Sequence, residues 1–324
     1  MNLNKEDDIQ VSVCVVTYNQ ENYIAECLES LVTQQTSFKF EIIVGEDCST
    51  DNTRKIVQQY VEQYPDLIVP LFYEENVGAV ENVKRVYKAA KGKYIAHMDG
   101  DDMALPNKLQ RQFDILEQND DCNVCSHDMI NINLDSENLV NTWVYPEKKY
   151  DLFDLYKKMP FFAHSSKMFR NKYSSLFWDK LLNESYILDI DVHIENLIDG
   201  DIYHIGEFLG KYRFSSGVSH ANQKVNPALP LGAVRVFEKG LTLFKNDNKK
   251  IEELRGVYAL AMLQCAYNYA IYDKDKELFS MYVKKSIDQK IIGWKSILFI
   301  LASMFPFIFF KLFSIRNSYK ENRV

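Results

Sequence analysis

The sequence lacks the two glycine-rich loops with which many enzymes hold phosphate groups. Neither the Gly-x-Gly-x-x-Gly fingerprint of dinucleotide sites nor the Gly-Lys-Ser/Thr loop of triphosphate sites occurs among its 324 residues. It also lacks an excess of basic residues, since 38 lysines and arginines stand against 45 acidic residues. The net charge of −7 disfavours binding to nucleic acid, which requires a basic face to replace phosphate counterions. We therefore expect no nucleic-acid partner.

A second pair of zinc ligands and a signal peptide are also missing. Cys122 and Cys125 have the spacing of a zinc-binding pair, but a structural site needs four ligands and no second pair follows at a suitable spacing. We therefore predict a strand at residues 122–126. Residues 1–8 are polar and contain no apolar signal-peptide region, which predicts a cytoplasmic chain with reduced thiols.

Apolar strands and amphipathic helices alternate four times between residues 11 and 116. The strands are predicted at residues 11–16, 41–45, 67–73 and 94–98, and apolar residues at helical spacing follow each of them. This alternation predicts an α/β fold with a mostly parallel sheet and helices on both faces. Shorter strands and irregular, aromatic-rich stretches are expected over residues 122–215. A linker is then expected at 215–230, and helices at 233–285.

A cluster of acidic residues follows the fourth strand directly, with Asp99, Asp101 and Asp102 around Gly100. Carboxylates brought together at a strand end repel one another unless a cation offsets their charge. Oxygen-only ligands suit Mg²⁺ or Mn²⁺, which commonly bridge to substrate phosphates. A polar turn before a helix is the alternative interpretation, because Asp and Gly are common turn residues.

Two other polar clusters, Thr17-Tyr18-Asn19 and Glu46-Asp47-Cys48-Ser49, follow the first and second strands. Ligands of such sheets bind at the carboxyl ends of the strands. All three clusters match one family in order. The chain resembles the family 2 glycosyltransferases, whose nucleotide-sugar-binding domain has the Rossmann-like GT-A fold, and in particular those that build bacterial surface polysaccharides. The matching segments are residues 11–19, 41–53 and 99–106, followed in the acceptor half by 164–170, 189–191 and 212–219.

The resemblance implies transfer of a sugar from a nucleoside-diphosphate sugar, with inversion, to a glycan or lipid-linked acceptor. It assigns donor binding to six residues: Thr17, Tyr18, Asn19, Asp47, Asp99 and Asp101. Asp101 is the expected direct ligand of Mg²⁺ or Mn²⁺, while Asp99 binds the ribose or a metal-bound water. Asp47 can accept the ring N–H of uracil or thymine, which favours a UDP-sugar. Alternatively, it is only an anion at a helix N-terminus.

A sugar hydroxyl needs a base to take its proton, and a carboxylate within hydrogen-bond reach can do so. The resemblance places this base at Asp189, with Asp191 as the alternative. His164 and His193 are weaker candidates for the site, because a lone histidine is more often structural. Ser215 stands where the family often has histidine. The aromatic residues between Trp143 and Trp178 could stack on sugars, but core packing is their commoner use.

Residues 296–310 are nearly all apolar, and basic residues follow them up to Arg323. The run is shorter than the roughly 20 apolar residues of a spanning helix and contains Pro306. We predict that it docks in the plane of an anionic cytoplasmic membrane surface, so that the protein is peripheral at the inner face of the cell membrane. A spanning helix and a buried helix or subunit contact are the alternatives.

The predicted domains are a GT-A domain at residues 9–220, a C-terminal helical extension at 221–290 and a tail at 291–324. Two other functions compete with the glycosyltransferase. A nucleotidyltransferase would also combine such a sheet with acidic metal ligands, but it would need a glycine-rich basic loop after the first strand. A non-catalytic nucleotide-sugar-binding or scaffold protein would not need Asp99, Asp101 and Asp189 together.

Overall fold

The computed structural model describes residues 8–135, 137, 144–158, 162–184, 187–214 and 224–304. The chain divides into two compact units, Met1–Gly217 and Val218–Val324. The predictions for Trp143, for Ser215 and for the tail from residue 305 onward lie outside the described residues. The functions assigned to the three predicted domains stay predictions.

The first unit is built on one sheet of nine strands among the described residues. Its strands lie in the order β3-β2-β1-β4-β8-β6-β9-β5, and β7 pairs with β9. The strands are β1 Val11–Thr17, β2 Phe40–Glu46, β3 Ile68–Phe72, β4 Tyr94–Asp99, β5 Met103–Ala104, β6 Cys122–Ile132, β7 Lys148–Tyr150, β8 Met168–Arg170 and β9 Asp201–Arg213.

Eleven helices are described in the two units. They are α1 Ile24–Val32, α2 Thr53–Gln63, α3 Ala79–Ala89, α4 Lys108–Gln118, α5 Leu152–Lys157, α6 Ser175–Leu182, α7 Asp189–Leu197, α8 Ala228–Leu243, α9 Asn248–Asn268, α10 Lys276–Gln289 and α11 Gly293–Met304.

The four N-terminal strands are parallel, as the alternation of strands and helices predicts. Successive side chains of a strand point to opposite faces of its sheet. In β1, Val13 and Val15 join a buried cluster with residues of α1, α2 and α4. Cys14 lies between them, and its thiol donates to the carbonyl of Val86 in α3, on the other face. Helices therefore cover both faces, and the predicted α/β fold is confirmed.

The prediction of only short strands beyond residue 122 is wrong for two of them. β6 has 11 residues and β9 has 13, and they pair in parallel along most of their length. Polar residues inside these strands interrupt the apolar pattern, but they are buried and bond to one another. Asp128 accepts a 2.9 Å hydrogen bond from His204 Nε2, and Ser126 lies 2.9 Å from His204 Nδ1. The predicted strand at residues 122–126 is the start of β6, where Cys122 and Cys125 are unpaired and buried.

The second unit is helical, as predicted for residues 233–285. The predicted linker at residues 215–230 extends too far, because α8 begins at Ala228 and contains Pro230 in its first turn, where a proline is tolerated. In the last helix, α11, Phe299 contacts the ring of Phe279 in α10, with 6.1 Å between ring centroids. Within the described residues, no helix combines the length and the apolar character that crossing a membrane would require.

Candidate active site

The loops after β1 and β2 are joined to one another at the carboxyl edge of the sheet. Asn19 has a left-handed backbone with φ of 53°, and its side-chain oxygen accepts from the backbone N–H of Thr50 at 2.8 Å. Its own N–H donates to Ser49 Oγ at 3.0 Å. Asn19 therefore holds the two loops together. Tyr18, next to it, is 39% exposed and presents its side chain at this edge.

The carboxylate of Asp47 is buried at the end of β2 and already has two partners. Its oxygens accept from the backbone N–H groups of Val77 at 2.7 Å and Gly78 at 2.9 Å. A carboxylate offers about four lone-pair positions, so each oxygen can accept one further bond. The two amides fix Asp47 in place, and the role in nucleobase binding stays a prediction.

The acidic cluster lies beside the first loop. The N–H of Gly100 donates to the carbonyl of Val16, which neighbours Thr17, at 2.9 Å. A side chain at Gly100 would place its Cβ 2.5 Å from Gln20 Oε1 and 2.9 Å from Thr17 Oγ1. Glycine is therefore required for this close approach. The structure thus brings Thr17, Asp99 and the neighbouring carboxylates together, as the sequence predicts.

Arg213, the last residue of β9, holds the acidic cluster from the other side. It is buried, and its N–H donates to Asp102 Oδ1 at 2.9 Å while its Nε donates to the carbonyl of Asp101 at 3.0 Å. Its Nη2 donates to Glu26 Oε2 at 2.7 Å. One oxygen of Asp102 therefore binds the end of β9.

The charges of the cluster act on one another strongly. Burial raises the pKa of Asp102 well above its ordinary value, and the charges of Asp101 and Asp99 raise it further. Asp102 Oδ2 is buried and has no hydrogen-bond partner among the residues that the structure describes. A buried, unpartnered carboxylate oxygen next to two further carboxylates is a favourable surrounding for a divalent cation.

Asp99 is held by His97 of the same strand and by Ser165, which is distant in sequence. His97 Nε2 lies 3.2 Å from its Oδ1, and Ser165 Oγ donates to its Oδ2 at 3.3 Å. Burial alone would raise the pKa of Asp99, but the hydrogen bond from His97 and the positive charge of Lys167 bring it below its ordinary value. Asp99 is therefore ionised at neutral pH.

A path of contacts connects Asp99 to the predicted base. The ring centroids of His97 and His164 lie 3.8 Å apart, and His164 Nδ1 lies 3.6 Å from Asp189 Oδ2. Lys167, which is fully buried, places its Nζ 3.0 Å from His164 Nδ1. Burial lowers the pKa of Lys167 to about 7, although the charges of Asp189 and Asp99 oppose this.

The two candidate bases differ in their surroundings. Asp189 begins α7, and its side chain is 57% exposed. Its crowded surroundings raise its pKa by desolvation, against the charge of Lys167. Asp191 is fully buried and accepts from the N–H of Leu188 at 2.8 Å, which stabilises the start of the helix. An exposed carboxylate can reach a substrate, whereas a buried one cannot do so directly; Asp189 as the base and Asp191 as the alternative stay predictions.

Sequence reasoning missed three residues of this site and underrated two. His97, Lys167 and Arg213 were not predicted to take part. The contact of His97 with His164 and the hydrogen bond of Arg213 to Asp102 join residues that are distant in sequence, whereas Lys167 lies only three residues from its partner His164. His164 and His193, the weaker candidates, lie beside Asp189, and their ligating atoms and that of Asp189 are within 4.8 Å of one another. Burial lowers the pKa of both histidines well below its ordinary value, so both rings are neutral. Trp178 is a core residue, packed against Tyr87.

Two relatives and one solved structure show what this chain is similar to. An uncharacterised protein of Mycobacterium tuberculosis is 31% identical over 218 residues, which are 65% of this chain and 61% of the relative. The putative teichuronic acid biosynthesis glycosyltransferase TuaG of Bacillus subtilis is 38% identical over 106 residues, 33% of this chain and 41% of the relative. The chain thus spans less than two thirds of the length of these relatives.

The crystal structure of S. aureus TarS 1-349 in complex with UDP-GlcNAc shares the fold, with a TM-score of 0.65 and 18% identity over 87% of this chain and 82% of that one. The sequence model of the family described as "Glycosyl transferase family 2" matches residues 12–177, more than half of the chain. That segment contains β1 from its second residue, β2 to β4 and the acidic cluster. The chain belongs to glycosyl transferase family 2.

Proposed function

We propose that the protein transfers a sugar from a UDP-sugar to a glycan or lipid-linked acceptor, with inversion at the anomeric carbon. The observation that carries this proposal is the path from Asp99 through His97 and His164 to Asp189. Through these contacts the exposed carboxylate of Asp189 is linked to the acidic cluster, which supports the proposal. A donor held by the cluster would then have a base within reach of its acceptor.

The donor side of the site rests on Asp101 and Asp99. Their carboxylates, with Asp102 behind them, would hold Mg²⁺ or Mn²⁺, and such an ion offsets the negative charge that develops on a departing diphosphate. Arg213 fixes the backbone of Asp101, so that its side chain keeps its direction. The fold shared with TarS, whose structure holds UDP-GlcNAc, supports a UDP-sugar as the donor.

The acceptor side rests on Asp189. Its carboxylate takes the proton of the acceptor hydroxyl while the hydroxyl oxygen forms its bond to the anomeric carbon. The bond between that carbon and the diphosphate oxygen breaks in the same step, and UDP leaves with the electron pair. Attack from the side opposite the leaving group inverts the configuration. No covalent bond to the enzyme is needed, so one base suffices.

The exposed face of α11 supports a membrane-linked acceptor. Trp294, Ile297, Leu298 and Leu301 are at least 48% exposed, and their spacing places them along one face of the helix. An apolar helix face with basic residues after it suits the interface of an anionic membrane. We therefore infer a peripheral position at the inner face of the cell membrane. The name of the relative TuaG supports a cell-surface polysaccharide as the product.

Release of UDP from UDP-sugars, measured with and without Mn²⁺ and a glycan acceptor, tests the proposal. Asp189→Asn should lower transfer by at least about 10²-fold, since it removes the base, and should leave donor binding unchanged. Asp101→Asn should abolish the metal-dependent activity. Asp179→Asn is the matched control, because Asp179 is an exposed carboxylate that pairs with Lys88 away from the site.

Two results would favour the other functions. Release of pyrophosphate from a nucleoside triphosphate would identify a nucleotidyltransferase. Binding of UDP-sugars without turnover, unchanged by Asp189→Asn, would identify a non-catalytic nucleotide-sugar-binding protein.

A further inference from the structure

Two histidines and an aspartate converge at the start of α7. Asp189 and His193 lie four residues apart in this helix and therefore on the same face of it. His164 reaches them from the turn before β8, and the ligating atoms of the three residues lie within 4.8 Å of one another. Elements distant in sequence thus form a compact group with two imidazole nitrogens and one carboxylate.

One member of this group has an unsatisfied polar atom. His193 is only 4% exposed, and its Nδ1 is buried with no hydrogen-bond partner among the described parts of the chain. A buried polar atom without a partner costs about 1–3 kcal/mol, so it usually has a water or an ion nearby. The ring centroid of Phe162 lies 4.7 Å from that of His193, and a phenylalanine side chain offers no hydrogen-bonding atom.

The donor set decides which ion fits. Imidazole nitrogens suit divalent transition ions, whereas Mg²⁺ prefers oxygen ligands such as those of the acidic cluster. Two histidines and one carboxylate are a ligand set of zinc sites that keep a position open for water or substrate. We propose that His164, Asp189 and His193 form a second cation site, separate from the acidic cluster, which takes Zn²⁺ or a similar transition ion.

The distances are close to those that such an ion requires. Ligands at about 2.1 Å from a tetrahedral zinc lie about 3.4 Å apart. His164 Nδ1 and Asp189 Oδ2 are 3.6 Å apart, and the exposed Asp189 side chain can adjust. The ligating atom of His193 lies within 4.8 Å of the other two, so it needs a shift of at most about 1.4 Å toward them, which side-chain rotation in α7 can supply.

Lys167 is a competing cation at this place. Its Nζ lies 3.0 Å from His164 Nδ1 and 3.4 Å from Nε2. A metal ion must displace it or share the cluster with it, so we expect weaker binding than at a dedicated structural zinc site. Replacing Lys167 with methionine, which has a similar length and no charge, should therefore tighten zinc binding.

Occupation of the site would affect the reaction through Asp189. A carboxylate that coordinates a metal ion has given an electron pair to it and is a weaker base. Zn²⁺ should therefore inhibit transfer even when Mg²⁺ is in excess. This consequence rests on the proposed function, whereas the binding of zinc does not.

Equilibrium dialysis of the full chain against Zn²⁺ tests zinc binding separately from the proposed function. Excess Mg²⁺ is present to saturate the acidic cluster. We expect about one Zn²⁺ per chain for the wild type and for Asp101→Asn, and at least a tenfold weaker affinity for His164→Gln and for Asp189→Asn. His164→Gln is the gentler of the histidine changes, because His164 is more exposed than His193. Circular dichroism checks that each variant is folded.

The proposal is wrong if the wild type takes up no Zn²⁺ in excess Mg²⁺, or if His164→Gln and Asp189→Asn bind it as the wild type does. Unchanged or weaker zinc binding by folded Lys167→Met would also contradict the cluster as described. Because these measurements contain no donor or acceptor, they stand even if the protein transfers no sugar.

Discussion

Replacing Arg213 with lysine keeps the positive charge at the end of β9 but removes the branched set of donors that holds the acidic cluster. The guanidinium donates to the carbonyls of Asp101, Asn133 and Leu134 at 3.0, 3.1 and 3.1 Å, and to Glu26 Oε2 at 2.7 Å. A lysine has one nitrogen and cannot reach all four acceptors. We expect it to keep the pairing with Glu26 and to leave the carbonyls without this donor.

The free-energy cost of removing the hydrogen-bond donor differs among these three carbonyls. The carbonyl of Asp101 lies in a buried loop, and leaving it without a donor costs about 1–3 kcal/mol. Leu134 is exposed and Asn133 half-buried, so water can replace the donor there at a cost of about 0.5–1 kcal/mol. With about 1–3 kcal/mol from the carbonyl of Asp101 and about 0.5–1 kcal/mol from each of the other two, we expect Arg213→Lys to lower the free energy of unfolding by about 2–5 kcal/mol. Because the carboxylate of Asp101 moves with its backbone, UDP in the presence of Mn²⁺ should bind about tenfold less tightly, which is 1.4 kcal/mol.

Arg170→Lys provides a matched control. Arg170 also donates four side-chain hydrogen bonds, to Cys122, Tyr94, Leu116 and Asn119. It lies opposite Tyr94 at the start of β4, five residues or about 16 Å from Asp99 along the strand. Urea unfolding should show a similar loss of stability in both variants, whereas calorimetry should show weaker UDP binding only in Arg213→Lys. Equal donor affinities in the two variants would refute the role of Arg213 in holding Asp101.

Three further predictions follow from single features. Acid should destabilise the fold below about pH 6.5, because burial keeps the pKa of His127 well below its ordinary value and only the unfolded chain takes up this proton. The free energy of unfolding should fall by about 1.4 kcal/mol per pH unit through this histidine. Urea titrations at pH 7 and pH 5 should show that His127→Gln removes this part of the pH dependence. UDP should bind more tightly than CDP in calorimetry, because uracil carries a ring N–H that the remaining lone pairs of Asp47 can accept; equal affinities would exclude Asp47 from nucleobase recognition. Anionic vesicles should sediment the wild type but not the double variant Ile297→Asp, Leu301→Asp, whose changes lie on the exposed face of α11; sedimentation of both would contradict membrane docking by this helix.

The sequence predicts the N-terminal strands to within one residue because each is an apolar run. The sheet buries this run on both faces in β1, β2 and β4, whereas the edge strand β3 stays partly exposed. The lengths of β6 and β9 could not be predicted in the same way. His127, Asp128 and His204 look like loop residues until their partners are known, and His204 lies 76 residues from Asp128. Pairing across such a separation satisfies polar groups that local pattern rules assign to the surface.

The residues of the candidate site also differ in whether they could be predicted from the sequence. The acidic cluster could be found from the sequence because its members are adjacent, and the resemblance to the family supplied Asp189. Lys167 and Arg213 lie in the matching segments 164–170 and 212–219, but the spacing of a single lysine or arginine does not reveal that it is buried and bonded in the site. Donor binding by Asn19 stays a prediction; the structure adds that its side chain holds the loop of Thr50, which its left-handed backbone allows.

The parallel pairing of β6 with β9 also bears on how the chain folds. When the ribosome has completed residue 177, where the family match ends, β6 has only the short β8 beside it, paired at two positions. Ten residue pairings must wait until β9 is made, and Arg213 is the last of them. Until then β6 is an exposed strand edge, which other chains can join. A fragment ending at the family boundary should therefore aggregate, and chaperone dependence during synthesis should end once residue 213 has left the ribosome.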